Sequence, residues 1–459
     1  MGFLQAQDSS AVKADSLVIN EGETEILPEN KLEKKDERKK QVFVSPWQNK
    51  ELSSSVIITN DSLLRWNIYP NWGDFYAYRN DVISFRQGTI GRTDAFNING
   101  FNEQEQSVWL DDINMNNPVT GLVNYNYVPH HKIGKVREMY GSELKSYIDL
   151  RDYYINEPIS YLNFDEAPYD YRNLEFLVAQ NLSPKTNVEL SYWDRRDGGF
   201  YSNNAVQGSQ IMARVYHHLG TKHKLEALIL RNDFNNDESG GYLMSDPLAF
   251  GFGEFTSQPR SSSGASEILR TDFKIGIYER KDSLAAESGG LILNRLKNDR
   301  SVMINSDTLA WELIGYQASA FKKVEFSKVK LQLDANLDYY SRKSGTAISK
   351  GEWLLAQTAL STTTTFGKSI SFNLNGQFDV RNTDHSGYDI SGGLNFSPTK
   401  KVNVKFSTAI ESSMPNIQHL YWDSKNYVGN TNLQNEASIS GMIQFSYKPN
   451  DRWEIGTTN

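Results

Sequence analysis

Val329-Lys330-Leu331-Gln332-Leu333-Asp334-Ala335-Asn336-Leu337-Asp338-Tyr339 is apolar at every odd position and polar at every even one. A period of two puts one face of an extended chain in an apolar medium and the other against water. The same alternation returns at Ile370, Phe372, Leu374, Gly376, Phe378 and Val380, then at Val402, Val404 and Phe406. It returns again at Ala437, Ile439, Gly441, Ile443, Phe445 and Tyr447. Runs of about 9–11 residues are what a tilted strand needs to cross a bilayer.

The connections between these runs carry a second asymmetry. Ser183-Pro184-Lys185, Gly220-Thr221-Lys222, Ser327-Lys328, Gly367-Lys368, Pro398-Thr399-Lys400 and Pro449-Asn450-Asp451 read as tight turns. Arg195 to Ala205, Asn232 to Ser263 and Ser412 to Asn435 read as long polar loops. Short turns alternating strictly with long loops is the pattern of an outer-membrane barrel. A soluble sandwich does not normally keep that alternation over such a length, and no motif repeats as it would per propeller blade. From Ile159 onward the pattern gives roughly 13 or 14 strands.

The totals agree. The chain has 459 residues, 38% hydrophobic and 23% charged, with 24 Tyr, 22 Phe and 9 Trp. Mean hydropathy is -0.57, and no run nears the roughly 18 apolar residues of a spanning helix. A helical membrane protein is excluded, whereas a barrel is not, because only alternate residues meet lipid. The aromatics, Trp193, Tyr339, Tyr340, Phe396, Tyr447 and Trp453 among them, suit interfacial girdles. A net charge of -8 gives no basic footprint for nucleic acid. Cysteine is absent, which removes disulfide, thiolate-zinc and thiol chemistry.

Ahead of the alternating strands the chain is different. Met1 to Gln7 reads as the tail of a signal peptide. Asp8 to Lys40 has no sustained period and reads as a disordered tether, ending in the mixed charge run from Lys31 to Lys40. Within it Asp15-Ser16-Leu17-Val18-Ile19 is a short β-prone island. From Gln41 the chain becomes a small mixed domain, with irregularly spaced aromatics between Asp61 and Tyr76 and a short strand at Asp81 to Phe85. Phe96 to Pro118 is its most structured stretch: a strand through Phe96 and Ile98, a Gly turn, a polar loop, an apolar strand from Val108 to Leu110, and an acidic turn. A last strand is expected to begin at Met115 and to stop at Asn117-Pro118.

Asn97-Ile98-Asn99-Gly100 and Val108-Trp109-Leu110-Asp111-Asp112-Ile113-Asn114-Met115-Asn116-Asn117-Pro118 resemble the plug domain of TonB-dependent outer-membrane receptors. Val128-Pro129, Ile133 to Val136, Glu138 and Gly141-Ser142 resemble the strand that hands that plug over to its barrel. Two positions depart from the family pattern. Asn99 stands where Arg is usual before Gly100, and Asp112 stands where Gly is usual after Asp111; Arg92 or Arg86 is expected to supply the missing charge. Met414-Pro415-Asn416, Tyr421-Trp422 and Gly429 to Ala437 are similar to a loop-to-strand signature of the same barrels, lacking its Pro before Glu436. Asp15 to Ile19 is similar to a TonB box, which pairs with an energy-transducing partner by adding a strand.

The resemblance implies an all-β dominated chain: a tether over 1–40, a small α+β plug over 41–142 and an antiparallel transmembrane β-barrel over 143–459. It implies a bacterial outer-membrane receptor for energy-coupled uptake, without a cofactor. Its partners would be a TonB-type protein, outer-membrane lipids, an unidentified small molecule or glycan, and a surface lipoprotein. A structural or adhesive barrel without transport is the alternative. Barrels of this family resemble about 22 strands, so the count here implies an incomplete barrel, closed by strands of a longer gene product or of a second chain.

No catalytic constellation is read: there is no nucleophile elbow and no phosphate loop following a strand. Asp233, Asp237 and Glu238 lack the spacing of a calcium loop. His130 and His131 are adjacent, and on a strand neighbours point to opposite faces, so no metal site is expected there.

Overall fold

The computed structural model describes residues 56–60, 72–79, 81–85, 94–140, 143–153, 157–243, 258–281, 287–305, 307–367, 369–399, 401–450 and 453–458. The candidate TonB box from Asp15 to Ile19, Arg86 and Arg92 lie outside them.

The first part comprises β1 (Val56–Asn60), α1 (Trp72–Ala77), β2 (Val82–Phe85), β3 (Ala95–Ile98), β4 (Gln106–Leu110), β5 (Ile113–Asn114), β6 (Ile133–Tyr140) and β7 (Leu144–Leu150). Five of these strands form a sheet in the order β1-β6-β7-β4-β5, and β2 pairs with β3. Three of the irregular aromatics fall on a short helical turn: Trp72, Phe75 and Tyr76 stand at i, i+3 and i+4, and α1 buries all three. They pack with Phe96, Ile98, Val108 and Tyr125 in one apolar cluster. Each such side chain, fully buried, stabilises the fold by about 1.5–3 kcal/mol.

β4 and β7 are parallel, Gln106 opposite Leu144 through Leu110 opposite Ile148. β7 therefore belongs to the five-stranded sheet, and the fifteen-stranded sheet begins at Ile159. Leu144 to Leu150 is buried on both faces, and its place is set by a long-range parallel pairing that leaves no local mark. The strand expected from Met115 is corrected. β5 ends at Asn114, and Asn116 makes only an isolated bridge to Val123, because its side chain takes over the hydrogen bonds of a strand edge.

Fifteen strands then form one sheet, each antiparallel to its sequence neighbour: β8 (Ile159–Ala167), β9 (Tyr171–Ser183), β10 (Thr186–Asp197), β11 (Val206–Leu219), β12 (His223–Asp237), β13 (Ala265–Arg280), β14 (Glu287–Ile304), β15 (Asp307–Phe326), β16 (Val329–Gly345), β17 (Glu352–Phe366), β18 (Ile370–Arg381), β19 (His385–Thr399), β20 (Val402–Ser413), β21 (Glu436–Asn450) and β22 (Trp453–Thr458). The sequence count of 13 or 14 was low. β8 and β22 are the two edges of the sheet, and among the described residues they do not pair with each other.

Along these strands burial runs opposite to hydropathy. On β13, Phe273, Ile275 and Ile277 are 43%, 43% and 41% exposed, while Arg270, Asp272 and Lys274 are 0%, 0% and 1% exposed. In water this arrangement would expose apolar and bury ionic groups at once, both unfavourable. It is stable where the outer face meets lipid and the inner face meets a polar filling. Connections at one end of the sheet are short, two or three residues each except for the six at 281–286 between β13 and β14. Those at the other end vary, from Asn305-Ser306 between β14 and β15 to 238–264 between β12 and β13. The alternation is therefore short against variable rather than strictly short against long.

Candidate functional site at the plug–barrel interface

The two departures from the family pattern sit at two different places. At the first, β3 ends in Asn99 and Gly100 with φ of 50° and 93°. Gly tolerates this left-handed region freely, and Asn more readily than most residues. Asn97 closes the corner: its Oδ1 accepts from the Gly100 N–H at 3.0 Å and its Nδ2 donates to the Gly100 carbonyl at 3.2 Å. The Asn99 amide donates to Asp81 Oδ2 at 2.8 Å and to the Tyr140 hydroxyl at 3.2 Å.

Among the described residues, the cation at this corner is Arg79. Its Nε donates to Asp81 Oδ1 at 2.9 Å and its Nη1 to the buried Glu138 Oε1 at 2.5 Å. The guanidinium also lies over the rings of Phe75 and Tyr76, at 5.7 and 5.5 Å from their centroids. Burial raises the Asp81 carboxyl, but hydrogen bonding and charge from Arg79 outweigh it and hold the group below the ordinary carboxylate range.

The second place is the turn between β4 and β5. Asp111 and Asp112 both have positive φ, 45° and 68°, and the turn projects into the barrel wall. Asp111 Oδ2 lies 3.0 Å from Arg214 Nη1 on β11, and its Oδ1 accepts from the Leu150 N–H at 3.1 Å. Lys274 on β13 donates to the Asp111 carbonyl at 2.8 Å, and the Tyr278 hydroxyl donates to Asp112 Oδ2 at 2.9 Å. Arg270 adds two hydrogen bonds of 2.6 Å to the carbonyls of Asn114 and Met115. These wall cations are themselves held: Arg214 by Glu189 and Asp152, Lys274 by Glu226, Arg270 by Asp272. Lys132 of the plug pairs with the same Glu189.

Behind the turn, Asn116 carries three hydrogen bonds. Its Oδ1 accepts from the Val108 N–H at 2.9 Å, and its Nδ2 donates to the carbonyls of Gln106 and Gly121 at 2.8 and 2.7 Å. Pro118 starts the following loop, where Asn117 Oδ1 accepts from the Val119 and Thr120 N–H groups. That loop meets the region singled out near Asn416. A short helix, α2 (Ile417–Tyr421), is capped by Asn416. Asn416 Nδ2 donates to the Thr120 carbonyl at 3.0 Å, and the Gln418 N–H donates to the Val119 carbonyl at 2.8 Å. Val119 and Ile417 are buried with Trp311, Tyr340 and Trp353 of the wall. The loop between β20 and β21 thus folds inward onto a tip of the plug.

His130 and His131 are not on a strand. They lie in a 3-10 turn, His130–Lys132, which brings their rings to 5.5 Å. Burial, and then His130 beside it, push the His131 imidazole down to about 3.

Arg214, Arg270 and Lys274 were legible only as a pattern. Each occupies an inward position of a strand whose outward positions are apolar. A long cation at such a position was the available signal.

No family model matches the chain, and no curated protein matches it in sequence. Solved structures do match. The siderophore receptor PirA from Acinetobacter baumannii is similar over 90% of this chain and 71% of its own, with a TM-score of 0.69 and 14% identity. A variant of the ferric enterobactin receptor PfeA from Pseudomonas aeruginosa is similar over 91% and 72%, with a TM-score of 0.69 and 12% identity. The FrpB iron transporter from Neisseria meningitidis is similar over 86% and 71%, with a TM-score of 0.66 and 9% identity. At these identities the likeness is one of fold: the chain has the plug-and-barrel fold of the TonB-dependent outer-membrane receptors.

Proposed function

We propose that the chain acts in the bacterial outer membrane as a receptor that takes up a bound substrate in an energy-coupled step. The observation that carries this reading is the kind of contact between plug and wall. Asp111, Asp112 and the carbonyls of Asn114 and Met115 meet Arg214, Lys274, Tyr278 and Arg270 through polar bonds. Water can replace such bonds one by one, while the apolar contacts beside them, Tyr127 against Phe234 and Val119 against Trp311, would have to separate as well. A plug held in this way blocks diffusion and can still be displaced by a pull. A TonB-type partner pairing with Asp15 to Ile19 would supply that pull.

Substrate would arrive from the end of the sheet with variable loops, where the loop carrying α2 touches the plug. Iron chelates are the first compounds to test, because similar folds belong to a siderophore receptor and an iron transporter.

Deleting residues 15–19 tests the reading in iron-starved cells supplied with a panel of labelled ferric siderophores, ferric enterobactin among them. Surface binding is expected to persist while accumulation is lost. Accumulation at the undeleted level would contradict energy coupling and favour a barrel without transport.

A further inference from the structure

We propose that His130, His131 and Glu175 bind one divalent transition-metal ion of the zinc class, which staples the plug to the barrel wall. One ligand atom from each of the three residues lies within 4.8 Å of the others. His130 Nε2 is 3.0 Å from Glu175 Oε1, close to the roughly 3.3 Å edge of a tetrahedron with metal–ligand bonds of about 2.0–2.1 Å. Two imidazoles and one carboxylate form a donor set that suits zinc and its neighbours in the first transition row. Water would fill the fourth position.

An ion pair between His130 and Glu175 explains only half of this arrangement. Both ring nitrogens of His131 are shielded from solvent and have no hydrogen-bond partner among the described residues. Burying a polar ring without any bond is costly and rare. A metal ion would satisfy one of the two nitrogens by taking its lone pair, leaving the other as an N–H that water would have to accept.

The surroundings also bear on the site. Arg195 Nη2 lies 3.3 Å from Glu175 Oε1 and works against a nearby cation. That guanidinium has other anchors, however: Asn173 Oδ1 at 2.9 Å and the Trp193 ring at 4.5 Å. It can stay in place as an outer hydrogen-bond donor that orients the carboxylate, as ligating carboxylates usually require. Glu175 Oε2 faces the Tyr161 hydroxyl at 3.5 Å. The two histidines belong to the plug and Glu175 to β9, so bound metal would add a plug-to-wall link separate from the Asp111–Asp112 turn. The site does not depend on transport.

The test uses the full chain, purified in detergent without an affinity tag and stripped of metal. It is titrated with Co²⁺, followed by visible absorption, and then with competing Zn²⁺. One Co²⁺ per chain with a tetrahedral spectrum, displaced by one Zn²⁺, is expected. His131→Ala and Glu175→Gln should each weaken binding at least about tenfold at unchanged strand content. If His131→Ala fails to fold, the nearly isosteric Glu175→Gln decides alone. No binding by the unmodified chain below about 1 mM, an affinity too weak for a built site, would overturn the proposal. So would an affinity that Glu175→Gln leaves unchanged.

Discussion

The corner at Asn99-Gly100 and the turn at Asp111-Asp112 both use positive backbone angles and acidic neighbours, yet they answer to different partners. The corner closes on the plug itself, through Arg79, Asp81, Glu138 and Tyr140. The turn closes on the wall, through Arg214, Lys274 and Tyr278. The first holds the plug's own shape, and the second holds the plug in the barrel. A plug that moves as a unit needs this separation, because displacement must break the second set while sparing the first.

The largest expected effect comes from breaking the wall side. Arg214→Ala leaves the carboxylates of Asp111, Asp152 and Glu189 without their shared cation. Removing one member of a buried pair costs about 3–5 kcal/mol, to be read from denaturant unfolding in detergent. Arg79→Met is the matching change on the plug side. It strips Glu138 of its guanidinium partner and should cost about 2–3 kcal/mol in the same assay. Its effect should be confined to the plug's own contacts. Tyr278→Phe removes one hydroxyl from Asp112 and should cost about 1.5 kcal/mol.

The smallest effect is a pH dependence. The folded Asp81 carboxyl is held below its ordinary value. Its contribution is therefore complete above the usual carboxylate range and is lost as pH falls through the lowered value. Thermal melting of Asp81→Asn should lack that acid-side loss. An unchanged profile would place the charge of the corner elsewhere.

The barrel was legible because lipid and lumen impose opposite demands on alternate residues, and Val329 to Tyr339 carries that record in its own sequence. The acidic turn was legible from Asp111-Asp112 between two apolar strands. What they bind was not, because Arg214 and Lys274 stand more than 100 residues away in the chain. Arg79 follows an aperiodic aromatic stretch, so no pattern in the sequence marks it as the partner of Asp81 and Glu138. Only the folding of α1 turns it toward Asp81 and Glu138. The membership of β7 in the five-stranded sheet depends on parallel pairing with β4, which no local pattern records. The histidine pair was misplaced for a similar reason: a strand was assumed where the chain makes a 3-10 turn.

Amide hydrogen exchange of the full chain in detergent, with and without Arg214→Ala, tests the separation most directly. Exchange is predicted to rise at least about tenfold over residues 106–114, the response to about 1.4 kcal/mol or more of lost local stability, while residues 95–101 keep their protection. Equal loss of protection in both stretches, or no change in either, would contradict a plug whose shape and anchorage are held by different residues.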